Sequence, residues 1–144
     1  MIKPTHWRTR EYHQFLLDSV TLPFIWGVRD CALFAASGIE AVTGVDIAEE
    51  FRGKYTDEPS AFALIKTVTG GITVEDATVY CTQKHGLVEW EHPLMAQRGD
   101  LVVLEESGRI IAGLVHLNGR QIACQGALGM HLLPITQLKR AWHI

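Results

Sequence analysis

Asp30 and Cys31 are the residues of this sequence best placed to do chemistry. They end the turn-prone stretch Pro23-Phe24-Ile25-Trp26-Gly27-Val28-Arg29 and open a run that is apolar nearly all round, from Ala32 to Val42 with Glu40 as its only formal charge. A cysteine in the first turn of a helix meets unpaired N–H groups and a partial positive charge. Both favour the thiolate, and the thiolate is the nucleophile. A cysteine enzyme also needs a base to take the thiol proton and a group to orient that base. His116 is a candidate base by residue type, and Gln125 has the chemistry of an orienting residue or an oxyanion donor. His85, His92 and His131 fall in or near loop regions, with no spacing that selects any of them.

The elements that must position these residues change period midway along the chain. Arg10 to Val20 reads as a short amphipathic helix with Tyr12, Phe15 and Leu16 on one side, ended by Leu22-Pro23. Cys31 to Thr43 is a helix for the middle of a domain, capped by Asp30 and stopped at Gly44. Asp46 is expected to open a helical piece over Ile47 to Phe51. Pro59 starts a helix running to about Thr67 and closed by Gly70-Gly71, and Thr73 caps another over Val74 to Lys84. Strand-like runs follow at Leu101–Leu104, Ile110–Leu117 and Arg120–Cys124, the last two joined by the hairpin dipeptide Asn118-Gly119. Met130–Leu133 and Ala141–Ile144 add two more. Helices first and antiparallel strands later make an α+β domain, with N-terminal helices packed on a C-terminal antiparallel sheet.

The 144 residues suit a single domain, 1–144, without repeat, linker or low-complexity segment. A composition of 47% hydrophobic and 20% charged residues is that of an ordered globule rather than a disordered chain. A formal charge of −3 with scattered Lys and Arg argues against a nucleic-acid partner. No apolar run approaches the ~20 residues of a membrane span. Met1 to Arg8 has no apolar leader core, so synthesis and assembly in the cytoplasm are expected. The three cysteines, Cys31, Cys81 and Cys124, are far apart, and the seven histidines show no HExxH or i, i+4 pair. No metal or other cofactor is implied. Cys81 and Cys124 read as buried free thiols.

The motif Pro23, Phe24, Trp26, Gly27, Asp30 and Cys31 resembles that of the NlpC-type peptidoglycan hydrolases, a papain-like α+β family, with Ala32 where those enzymes usually carry serine. Gly99-Asp100-Leu101-Val102 matches the strand that follows in that family, and the order of elements agrees from Pro23 to about Leu133. The chain looks more closely like small tail-tip proteins of long-tailed phages and gene transfer agents that descend from these hydrolases. The shared features are Pro-Phe-x-Trp-Gly-x-x-Asp-Cys-x-x-Phe-Ala, Thr43-Gly44-x-Asp46, Gly53-x-Tyr55, Arg98-Gly99-Asp100 and Ala141-Trp142.

The resemblance puts the catalytic histidine, counted from Gly113, at Ile111, and the third catalytic position at Ala123; neither side chain can move a proton. His116 lies five residues beyond Ile111, on the other face of the strand and roughly 16 Å along it. Gln125 is two residues from Ala123, on the same face. Three readings of Cys31 stay open: a packed structural residue, a nucleophile, or a thiol with another reactive role. The resemblance implies a virion structural protein in the tail tip with a degenerate catalytic site, contacting hub and fibre-bearing proteins and peptidoglycan. The alternative is an active cysteine peptidase or amidase that cuts peptidoglycan stem peptides during genome entry. Trp7, Trp90 and Trp142 are expected as exposed interface anchors, with ordinary core as the other reading.

Overall fold

Three side chains placed just before apolar runs set the helix starts. In the computed structural model, which describes residues 1–144, Asp30 accepts a hydrogen bond from the Leu33 N–H at 3.0 Å and begins α2 (Cys31–Thr43). Asp57 accepts from the Ser60 N–H at 2.9 Å and begins α3 (Glu58–Thr69). Thr73 accepts from the Asp76 N–H at 3.1 Å and begins α4 (Val74–Lys84). Each bond satisfies one of the amides that a helix start leaves without a partner.

The N-terminal segment departs from the expected single helix. Arg8–Tyr12 forms a π-helical turn, closed by the Tyr12 N–H on the Trp7 carbonyl at 2.9 Å, before α1 (His13–Ser19). The wider turn lets Trp7, Tyr12 and Leu16 all bury. Ile47 to Phe51 is a series of turns rather than a helix. There Asp46 bonds the Ala48 N–H two residues on and is gripped by Arg52, with contacts of 2.7 and 3.1 Å, so the carboxyl stabilises a local turn instead of a cap.

The second half is an antiparallel sheet of β1 (Val88–Glu89), β2 (Leu101–Glu106), β3 (Arg109–Val115), β4 (Gln121–Gln125), β5 (Met130–Pro134) and β6 (Leu138–His143), in the spatial order β1-β6-β2-β3-β4-β5. The Asn118-Gly119 register holds: Leu114 lies opposite Ala123, Val115 opposite Ile122, and the His116 N–H donates to the Gln121 carbonyl at 2.8 Å. Alternation divides the strands between two cores. Leu101, Val103, Ala112, Leu114 and Ala123 pack with α2, whereas Val102, Leu104, Val115, Ile122 and Cys124 fill a core on the opposite face.

That second core is enclosed because the sheet curls. Only Ile135–Gln137 joins β5 to β6, yet three strands lie between them in the sheet. Four chain steps reach at most about 14 Å, while four flat strand spacings would need about 19 Å. The sheet therefore bends towards a partial barrel.

Buried Asp100 ties the chain ends to this sheet. Its carboxyl accepts from the Trp90 indole N–H and the Gln97 N–H, both at 2.8 Å, and from the Ile144 N–H at 3.3 Å, with His143 Nδ1 at 3.2 Å. Trp7 and Trp142 are 7% and 3% exposed and Trp90 is half-buried, so the expectation of exposed interface anchors is replaced by core packing. Replacing Asp100 with alanine would leave the buried Ile144 N–H and the part-buried Trp90 and Gln97 N–H groups unpaired. Urea unfolding of Asp100→Ala should show a loss of about 3 kcal/mol or more.

Candidate functional site

The segment before Cys31 is folded around the Asp30 side chain. Beyond its bond to Leu33, this buried carboxyl accepts from the Gly27 N–H at 3.1 Å and from the Tyr55 hydroxyl. Gly27 has φ +78°, and a Cβ there would lie 2.1 Å from the Tyr55 carbonyl oxygen. Its own carbonyl accepts from the Gly53 N–H at 2.8 Å. Glycine is needed at position 27 both for the left-handed backbone and for the close approach of the 53–55 segment. Phe24 and Trp26 meet edge-on with centroids 4.8 Å apart, both half-buried, and Trp26 packs against the main core.

A parting of two strands makes room opposite Cys31. The β3–β4 register, continued past Leu114 and Ala123, would oppose Ala112 to Gln125, but the ladder stops before them. At Gly113 a Cβ would sit 2.8 Å from the Ala123 carbonyl oxygen and 2.7 Å from Ile122 Cγ2, so β3 passes β4 there only without a side chain. The Ala112 N–H lies close enough to the Cys31 thiol to favour its ionised form.

A cavity of about 280 Å³ opens beside this point, and 20 of its 25 lining residues are hydrophobic, so it is an apolar space. Cys31 stands in its wall, with Phe62 and Ile65 of α3, Ala77 and Cys81 of α4, and Ile110 of β3. Glu106 and Arg109 reach its lip from the β2–β3 hairpin, and Arg109 pairs with Glu58 of α3 at 2.5 Å.

The candidate catalytic residues separate. Cys31 and Gln125 share the cavity, whereas His116 and every other histidine are absent from its lining. His116 sits in the β3–β4 turn with Nδ1 accepting from the Asn118 N–H at 3.1 Å, and burial holds its pKa below the usual value. On β3 the Ala112 N–H is the group that acts on the Cys31 thiol, while Ile111, the position the resemblance assigns to the catalytic histidine, lines the same cavity and packs with the second core. His116 lies past the end of β3 at Val115, in the turn, so strand alternation no longer fixes its direction. The distance argument remains, at about 13 Å along a strand. His131 lies on β5 with Nε2 3.8 Å from Glu106, and His92 caps a 3-10 turn over Pro93–Met95. No group of three or more His, Cys, Asp or Glu side chains is arranged to hold a metal ion.

Burial dominates the electrostatics of Cys31. It pushes the thiol up to about 11, with the neighbouring Asp30 charge adding to the effect. The N–H groups of Ala112, Ala32 and Cys31 itself pull the other way without reversing it. The helix start, expected to favour thiolate, is outweighed by desolvation. Burial likewise raises Cys81 and Cys124 to about 12.

Sequence reasoning did not assign three participants. The Ala112 N–H has no side-chain signal, the Tyr55 bond to Asp30 depends on a fold 25 residues away, and Arg109 reaches the lip through the hairpin. Helices on one face of a curled antiparallel sheet, enclosing an apolar cavity headed by a capped cysteine, define a small α+β domain. The chain belongs to the family described as a domain of unknown function (DUF6950), whose model matches residues 3–144. No curated protein and no solved structure matches the chain.

Alkylation requires thiolate, so a raised pKa makes it slow at neutrality and faster with each pH step. With the pKa near 11, about one Cys31 thiol in ten thousand is ionised at pH 7. The rate of iodoacetamide modification of Cys31, read by mass spectrometry in a Cys81→Ala/Cys124→Ala background, should rise nearly tenfold per pH unit from 7 to 10, without a plateau near 6.

Proposed function

We propose that this chain is a structural protein of a phage tail tip, an NlpC-like domain that joins hub and fibre-bearing components and does not use Cys31 as a nucleophile. Its place is the virion, after assembly in the host cytoplasm, and peptidoglycan is a surface it meets rather than a substrate it cuts.

The observation that carries the non-catalytic part is the surroundings of Cys31. The thiol is flanked by Asp30, the Ala112 amide and an apolar cavity whose lining has no imidazole. No imidazole stands there to take the thiol proton, the Asp30 carboxyl is already occupied by three donors, and burial opposes ionisation. The tail-tip assignment rests on the resemblance of the Pro23–Ala36 motif and of Arg98-Gly99-Asp100 to the phage proteins. A helix headed by Asp30-Cys31 on an antiparallel sheet is compatible with that ancestry.

Co-expression with the neighbouring tail-tip proteins tests the reading. The wild-type chain and Cys31→Ser should both copurify with the hub in equal yield, and neither should release fragments from purified muropeptides. Muropeptide cleavage by the wild type that disappears in Cys31→Ser would establish the peptidase instead. Failure to associate with tail components would remove the tail-tip assignment.

A further inference from the structure

Two arginines meet at a surface cleft with no carboxylate to answer them. The cleft, about 370 Å³, is lined by Arg8, Ala96, Gln97, Arg98 and Gly119. It shares no lining residue with the cavity beside Cys31. Both guanidinium groups stand at the cleft, not only their stems. Arg8 donates from Nε to the Arg98 carbonyl at 3.0 Å and from Nη2 to Gln97 Oε1 at 3.5 Å. Arg98 donates from Nε to the Leu117 carbonyl at 2.5 Å. Its Cζ and Nη2 lie 3.2 Å from where a Cβ of Gly119 would be, so the guanidinium rests against the bare turn. Arg8 also lies over the Trp7 ring, 4.4 Å from its centroid. Each group is therefore held through Nε by a main-chain carbonyl, while Arg8 Nη1 and both Nη groups of Arg98 donate to no protein acceptor.

Other ordered arginines of this acidic chain are neutralised. Arg52 pairs with Asp46 at 2.7 Å, Arg109 with Glu58 at 2.5 Å and Arg140 with Glu89 at 2.6 Å. Arg8 and Arg98 have no such partner. Asp100, two residues from Arg98, is turned inward with its oxygens taken by Trp90, Gln97 and Ile144. Two cations held at one cleft repel each other, and an entering dianion relieves that repulsion while gaining charge-assisted bonds.

We infer that this cleft is a binding site for a phosphoryl oxyanion, as free phosphate or as the phosphate of a small monoester. A phosphate group carries close to two negative charges and three strong acceptor oxygens, which answers two guanidinium groups with three Nη groups free. A carboxylate brings one charge and two oxygens. Anchoring through Nε reduces the ordering that binding would otherwise require. The cleft exceeds the ~150 Å³ of a cavity that accepts benzene, so it has room for the organic part of a small ester. The site goes beyond the tail-tip reading and does not depend on it, as the full chain alone contains every residue invoked.

The test is an NMR titration of the full-length protein with inorganic phosphate and with phenyl phosphate, at fixed ionic strength, with sodium chloride and sodium acetate as controls. Saturable shifts are expected at the Gly119 and Arg98 amides and at the Arg8 and Arg98 Nε–H signals, with the phosphates and not with the controls. Tighter binding of phenyl phosphate assigns the site to a monoester, and equal binding assigns it to the free ion. Arg8→Gln and Arg98→Gln should each weaken binding at least about tenfold, the loss of bonds between charged groups. Arg29 is likewise held through Nε by a carbonyl, that of Pro23 at 3.1 Å, but lies outside the cleft. Arg29→Gln should leave the affinity unchanged. Absence of saturable shifts, the same shifts with acetate or chloride, or equal weakening by Arg29→Gln would each overturn the assignment. If Arg98→Gln does not fold, Arg8→Gln set against Arg29→Gln decides.

Discussion

The Asp30 carboxyl organises the part of this molecule around Cys31. It is almost fully buried and faces no cationic partner at bonding distance; its bonds come from the Leu33 and Gly27 amides and the Tyr55 hydroxyl. A buried acceptor of this kind is tolerated when its oxygens are satisfied and a helix start lies beside it. The three donors come from α2, from the turn before it, and from the segment after it. One side chain therefore fixes the start of the central helix, the direction of the Phe24–Gly27 turn and the path of the 53–55 segment. Gly27 follows as a consequence, because the Tyr55 carbonyl approaches too closely for any side chain.

The same arrangement decides the chemistry of Cys31. A helix start and three nearby amides favour the thiolate, while burial and the adjacent Asp30 favour the thiol, and burial is the largest effect. The interaction that orders the helix thus also brings a negative group next to the sulfur. In a working cysteine enzyme an imidazole would offset this bias by accepting the proton. Here β3 presents the backbone and methyl group of Ala112 instead.

The cavity lies between the helices and the helix-facing side of the curled sheet. Closing β5 onto β6 through Ile135–Gln137 bends the sheet around its second core. The β3–β4 ladder ends at Leu114 and Ala123, and Cys31 and Gln125 both line the cavity beside it, with the Gln125 amide nitrogen turned to loop carbonyls.

Local signals in the sequence determined the helix starts at Asp30, Asp57 and Thr73, the Asn118-Gly119 register and the α+β order, because capping, turn preference and alternation act within a few residues. The sequence also placed Cys31 and Gln125 among the residues to watch, and the structure puts both at one cavity. It misjudged Trp7 and Trp142, since an aromatic near a chain end gives no sign of the partner that will cover it. The resemblance counted the catalytic position to Ile111, but it could not give the Ala112 amide as the β3 group that acts on Cys31, because that depends on how a helix from elsewhere in the chain docks against the strand. Only tertiary structure decided that burial overrides the helix start at Cys31. This depends on desolvation by residues distant in sequence, a quantity that local pattern does not contain.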